Sequence, residues 1–160
     1  MPVNVELVCV GRLKDRFFED ASKEYLKRLS AFCRVSVAEV PAATLPDDPS
    51  PGEIKAALAK EADAIRAKIK RGAVVYPMCV EGKELASEEL AAEMERRTVA
   101  GASDFAFVIG GSYGLDEEIK KLGPRLSMSK MTFPHRLARV MLLEQIYRAF
   151  TITAGKKYHK

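Results

Sequence analysis

The chain is predicted to be an α/β protein built on a mostly parallel sheet. Two observations carry this. Short strand-like runs alternate with helix-length segments along the chain. The run Phe105–Ile109 is continuously apolar, as a strand covered on both faces must be.

The elements follow in order. Val3–Val10 opens the chain as a strand and is closed by Gly11. Its start lacks the positive charge of a signal peptide. A helix is expected over about Lys14–Ala31, where Phe18, Ala21, Tyr25, Leu29 and Phe32 recur at helical spacing. Arg34–Val40 is the second strand. Pro41–Pro51 holds Pro41, Pro46, Pro49 and Pro51 and reads as a long loop, a lid, an interface arm or a plain connection. A helix then starts clearly: Ser50 caps it, Pro51 suits its first position and Glu53 completes a capping box. Ile54, Leu58, Ala62, Ile65 and Ile69 form its apolar stripe, and Gly72 ends it. Ala73–Val80 is the third strand, with Pro77 marking an edge or bend. Glu81-Gly82-Lys83 reads as the turn after it. Ser87 is expected to cap a helix running to about Thr98, and Asp104–Ile109 is the fourth strand. Asp116, Glu117 and Glu118 suit a helix start rather than catalysis.

The last helix, about Pro134–Thr153, is apolar nearly all round: Leu137, Val140, Met141, Leu142, Leu143, Ile146, Tyr147, Ala149 and Phe150. Such a helix is buried on most faces. One side can face the chain's own sheet, and the other suggests a second copy, hence a homodimer. The alternative is a central core helix.

Composition narrows the function classes. The 160 residues are 48% hydrophobic and 30% charged, ordinary for a globular protein of one domain spanning residues 1–160. No apolar run approaches the roughly 20 residues that span a bilayer. Cys9, Cys33 and Cys79 lie far apart, without metal-ligand spacing, and suit buried thiols in a reducing cytoplasm. No metal site is expected. The net charge of +4 is unevenly spread. Beyond residue 120 the cations are Lys121, Arg125, Lys130, Arg136, Arg139, Arg148, Lys156, Lys157 and Lys160, against Glu144 alone. That imbalance points to an anionic partner, nucleic acid first, or else to a solvated basic tail.

Several chemistries have no motif here. A lysine-bearing phosphate loop, a dinucleotide glycine fingerprint after the first strand and a serine nucleophile elbow are all missing from the sequence. What remains is Gly110-Gly111-Ser112-Tyr113-Gly114 after a buried strand, and the segment Leu126–Arg136. Glycines after a strand allow positive φ and close approach of a ligand to main chain. Ligands of parallel sheets bind at the carboxyl ends of the strands.

These residues carry a resemblance. Val108-Ile109-Gly110-Gly111-Ser112-Tyr113-Gly114-Leu115 and Ser129-Lys130-Met131-Thr132-Phe133-Pro134-His135 resemble motifs of the ribosomal RNA large-subunit methyltransferase H family, of the SPOUT superfamily. Arg139, Glu144–Ala149 and the terminal Tyr158-His159-Lys160 extend the likeness over the whole chain. Met78 stands where that family has leucine, and Ser112-Tyr113 is a variable pair.

The resemblance implies a trefoil knot involving about residues 105–155 and S-adenosyl-L-methionine as cofactor. Its site would be Met78, Gly110, Met128, Ser129, Lys130, Met131, Thr132 and Phe133. The substrate would be a pseudouridine of 23S ribosomal RNA, methylated at N3, in an active site made by two subunits.

The proton on the acceptor nitrogen calls for a base. His135 and His159 alone titrate near neutrality without perturbation. His135 shapes the helix start or acts in chemistry, and His159 contacts the nucleotide or belongs to a frayed terminus. Tyr158 can stack on a base. Arg136, Lys156, Lys157 and Lys160 are candidate phosphate ligands. Arg139, a charge within an apolar helix, either binds phosphate or needs an ionic partner. Two other readings remain open at this point: a non-enzymatic ribosome-binding protein, and a knotted tRNA methyltransferase.

Overall fold

The computed structural model describes residues 2–160. Ten elements follow in chain order: β1 Asn4–Val10, α1 Arg16–Leu29, β2 Arg34–Val40, α2 Pro51–Lys68, β3 Val74–Glu84, α3 Ser87–Val99, β4 Asp104–Ile109, α4 Glu117–Lys120, β5 Leu126–Ser127 and α5 His135–Thr153. The strands form one sheet in the order β2-β1-β4-β3-β5, and every pairing is parallel.

Alternation along β4 builds two cores. Phe105, Phe107 and Ile109 face a layer of α1, α3 and α5, with Leu142, Leu143 and Ile146 of α5 at its centre. Ala106 and Val108 face α2 and α4, against Ala62, Ile65, Leu115 and Ile119. The strand is therefore covered on both sides, which is why it carries no polar alternation.

Local signals mostly act as expected. Ser50 Oγ accepts the Glu53 N–H at 3.2 Å while Glu53 accepts the Ser50 N–H at 3.0 Å, closing the capping box ahead of Pro51. Asp116 caps α4 by accepting the Glu118 N–H at 2.8 Å.

Three expectations need correction. β3 does not end at Val80 but continues to Glu84, with β4 on one side and the two-residue β5 on the other; Pro77 itself has no β5 partner, in keeping with the edge expected there. Proline is tolerated here because its partner strand β5 is so short and shifts register between Met78 and Lys83. Glu81-Gly82-Lys83 is consequently strand and not turn. Gly82 is needed there because a Cβ would lie 2.6 Å from the backbone of Leu126. Finally, the N-cap of α3 is Ala86, whose N–H is accepted by Glu89; Ser87 Oγ donates to Gln145 of α5 at 2.7 Å.

α5 packs between α1 and α3 over the sheet, so three neighbours account for most of its apolar circumference. Arg139 lies inside this packing at 3% exposure. Its guanidinium donates to Glu39 at 2.6 Å, at the end of β2, and to the Gly11 carbonyl at 3.1 Å. Arg139→Ala is expected to cost about 1.5–3 kcal/mol, the range for hydrogen bonds to a charged group. Urea denaturation measures this as a lower midpoint with unchanged slope.

Candidate functional site

A cleft of about 660 Å³ opens at the carboxyl ends of β3, β4 and β5. This is the size of a small-molecule site and the expected location in a parallel sheet. Its apolar surfaces come from Met78, Ile109, Leu115, Met128 and Phe133.

The glycine segment forms one wall. Gly114 adopts φ +79°, and its N–H donates to the Gly111 carbonyl at 3.1 Å, closing a tight turn. The turn brings Gly114 main chain onto Gly110, where any Cβ would collide with the Gly114 carbonyl. The opposite wall is the 127–134 segment, shaped by its own hydroxyls. Ser127 Oγ donates to the Ser129 carbonyl at 2.8 Å, and Ser129 Oγ accepts the Met131 N–H at 3.0 Å.

Of the residues singled out for a cofactor, Met78, Gly110, Met128, Ser129, Met131, Thr132 and Phe133 line this cleft. Lys130 does not; it is exposed. His135 also lines the cleft, at the first position of α5. Burial, then the charges of Arg136 and Arg139, push its pKa below the ordinary value. It is a neutral imidazole at pH 7.

Cys79, Glu81 and Lys120 line the cleft as well, and sequence reasoning missed them. Lys120 holds Glu81 at 2.5 Å and Glu117 at 3.1 Å. The hydrogen bond to Lys120 lowers the Glu81 pKa, and the bond to Glu81 raises that of Lys120, so both stay charged. Burial, followed by Glu81, raises the Cys79 thiol, which argues against a nucleophilic role. The expected strand end at Glu81, which the fold places within β3, was the one available signal. Nothing in the sequence points α4 back at that strand.

The C-terminal candidates lie elsewhere. Tyr158 packs edge-on against Tyr147 at 4.8 Å, with the Arg148 guanidinium 4.9 Å from its ring centre. Arg148 sits 3.1 Å from His159 Nδ1, and His159 Nε2 is 2.6 Å from Glu88. Guanidinium can only donate, so Nδ1 accepts and the proton sits on Nε2, facing the carboxylate. Lys156, Lys157 and Lys160 are exposed and make no ion pair among the described residues. The tail follows the carboxyl end of a 19-residue helix whose other end borders the cleft, about 27 Å away at 1.5 Å per residue. Arg136 pairs with Asp15 at 3.5 Å, and Arg139 is fully engaged inside the fold. Among the described residues no cluster of three or more His, Cys, Asp or Glu is placed to hold a metal ion, and no helix is long and apolar enough to cross a membrane.

A parallel α/β sheet with a glycine-turn cleft at its carboxyl edge defines a nucleotide-type ligand fold, of which methyltransferases are one class. Residues 3–159 match the family described as "Predicted SPOUT methyltransferase", and the chain belongs to that family. It is 44% identical over 159 residues to the ribosomal RNA large subunit methyltransferase H of Ligilactobacillus salivarius, covering 99% of this chain and 100% of that one. It is 45% identical, with the same coverage, to the protein of that name from Lactobacillus helveticus. Among solved structures, the tRNA (m1G37) methyltransferase of Aquifex aeolicus is 14% identical, with a TM-score of 0.53, covering 92% of this chain and 70% of that one. TrmJ of Z. mobilis is 15% identical, with a TM-score of 0.50, over 93% and 70%. These two show likeness of fold alone. The chain is thus a methyltransferase of the SPOUT family, and the reading as a non-enzymatic RNA-binding protein is not favoured.

Gly110→Val drives a branched side chain into Gly114 and the cleft. Calorimetry is expected to show S-adenosylmethionine affinity reduced at least tenfold, and normal affinity would remove Gly110 from the site. His135 yields a pH prediction. Its folded pKa lies below its unfolded value near 6.5, so between the two the unfolded chain binds more protons. Stability therefore falls as the pH drops through that window. His135→Gln is expected to shrink the difference between urea midpoints at pH 7.5 and pH 5.5.

Proposed function

We propose that this chain, a single domain over residues 1–160, methylates N3 of a pseudouridine in 23S rRNA. It acts in the cytoplasm as a homodimer with a trefoil knot over about residues 105–155. The observation that carries the reading is full-length likeness, at 44% identity, to proteins named for large-subunit rRNA methylation. The cleft supports it, since its residues fit the methyl donor. Gly110 lets the glycine turn fold back on itself through Gly114 and so shapes one wall, Met78 and Met128 offer apolar contact, and the 128–133 segment offers backbone groups.

S-adenosyl-L-methionine, when bound, supplies an intrinsically electrophilic methyl group. The chain's own task is then alignment, which rigid walls of main chain serve well. Gly110 and Met128–Phe133, with Met78, hold the donor in this reading. His135, neutral and at the cleft edge, is placed to take the proton of the acceptor nitrogen. Lys156, Lys157 and Lys160 meet phosphate.

The dimer is supported by two features. Leu137, Val140 and Met141 leave apolar surface on α5 after α1 and α3 have packed. The Tyr158-His159 tail lies a helix length from its own cleft, so a second subunit is what brings a tail to that cleft.

In cells lacking this protein, mass spectrometry of 23S rRNA is expected to show a pseudouridine without its methyl group. A change confined to tRNA would overturn the assignment. Light scattering at micromolar concentration is expected to give twice the 17.7 kDa chain mass, and a 17.7 kDa particle contradicts the dimer.

A further inference from the structure

We propose that the loop between β1 and α1 is a phosphate-binding strip, in which Arg12, Lys14 and Arg16 receive an RNA backbone beside the methyl-transfer cleft. The proposal rests on the rRNA reading above and adds a subsite to it.

The loop is held in place from several sides. The Gly11 N–H donates to the Val40 carbonyl at 2.8 Å, and the Gly11 carbonyl accepts from Arg139 at 3.1 Å. The Leu13 N–H donates to Glu39 at 3.3 Å, and Asp15 pairs with Arg136 at 3.5 Å. Gly11 takes φ +89°, so the chain leaves β1 in a conformation other residues rarely adopt. Leu13 and Asp15 are half-buried, and Arg12, Lys14 and Arg16 are left exposed at alternate positions.

Among the described residues these three cations make no ion pair. The acids within reach are already used: Glu39 by Arg139 and Asp15 by Arg136. Glu19 and Asp20, one turn along α1, make no ion pair with them. Their place at the amino end of α1 is also the end where the helix dipole disfavours positive charge. Among the described residues no ion pair repays that arrangement. A row of fixed, exposed cations is what a nucleic-acid backbone recognises.

The strip borders the cleft. Gly111, a cleft residue, lies against Val10, the residue before the loop; a Cβ on Gly111 would be 3.3 Å from Val10 Cγ1. The first turn of α5 serves both places: His135 and Ala138 line the cleft, while Arg136 and Arg139 anchor the loop. An RNA strand presenting a base to the cleft passes within reach of these cations.

The test is the triple variant Arg12→Gln, Lys14→Gln, Arg16→Gln in the full chain, with Lys68→Gln, Arg71→Gln at the opposite end of the sheet as control. Binding of a short polyuridine oligonucleotide is followed against salt. Methyl transfer is followed on ribosomes from a strain deleted for its own large-subunit methyltransferase H. The strip variant is expected to keep its S-adenosylmethionine affinity and its mass by light scattering. Its plot of log affinity against log salt becomes shallower by about 2, three contacts at about 0.7 each. Its KM for ribosomes rises about tenfold with kcat unchanged, as when ground-state and transition-state binding are lost alike. An unchanged slope and KM overturns the strip, as does an equal effect in the control. A halved mass with an unchanged slope also overturns it, by making the loop a subunit contact. Wild-type protein that transfers no methyl group, yet shows the strip-dependent slope, overturns the rRNA methylation reading and leaves the strip standing.

Discussion

A buried guanidinium decides where the functional end of this fold lies. Arg139 is sealed within the α1–α3–α5 layer, yet bonds the side chain of Glu39 and the main chain of Gly11. Guanidinium offers donors in a rigid fork, so it fixes both partners at once. The carboxyl ends of β1 and β2 are thereby locked to the first turn of α5. His135 begins that helix one turn earlier, and its place at the cleft edge follows from the lock. The 127–134 wall is then held at both ends, by β5 on one side and by this turn on the other.

The same lock explains where the C-terminal charge goes. Nine cations against one acid beyond residue 120 look like a basic arm. In the fold, Lys121, Arg136, Arg139 and Arg148 are each paired with a carboxylate. Two of those carboxylates, Asp15 and Glu39, come from the N-terminal third. Positive surface is thus transferred to the segment those acids would otherwise have neutralised, and Arg12, Lys14 and Arg16 are left bare. A charge count along the chain locates the sign of the partner but not the surface that meets it.

The sheet was legible because β4, at its centre, is buried on both faces and says so in an unbroken apolar run, while the edge strand β2 alternates. The capping box at Ser50 was legible because its chemistry is local. β5 was not: two residues carry no period, and they are a strand only because Gly82 lets Leu126 approach β3. Pro77 pointed to an edge, and on the β5 side it has no partner, so its missing N–H matters little. The glycine wall of the cleft could be read from residue type alone. The Glu81–Lys120 pair could not, because it joins a strand and a four-residue helix far apart in sequence. Arg139 was readable as a charge in need of a partner, while the identity of that partner, 100 residues away, was not.

The tail changes meaning in three dimensions. A polar terminus with Tyr158 and His159 suggests groups free to reach for a nucleotide. Instead both imidazole nitrogens are occupied, one by Arg148 and one by Glu88, and Tyr158 is set between Arg148 and Tyr147. In this arrangement His159 has no lone pair left to accept a proton. A general-base role would require it to give up Arg148, and Arg148 is itself fixed by Glu144 at 2.7 Å. The tail is accordingly a preformed block, and a preformed block loses little freedom on meeting RNA. Under the proposed function its contribution is shape and charge, through the Tyr158 ring and Lys156, Lys157 and Lys160, which make no ion pair among the described residues. In the proposed reaction the proton is left to the neutral His135 at the cleft.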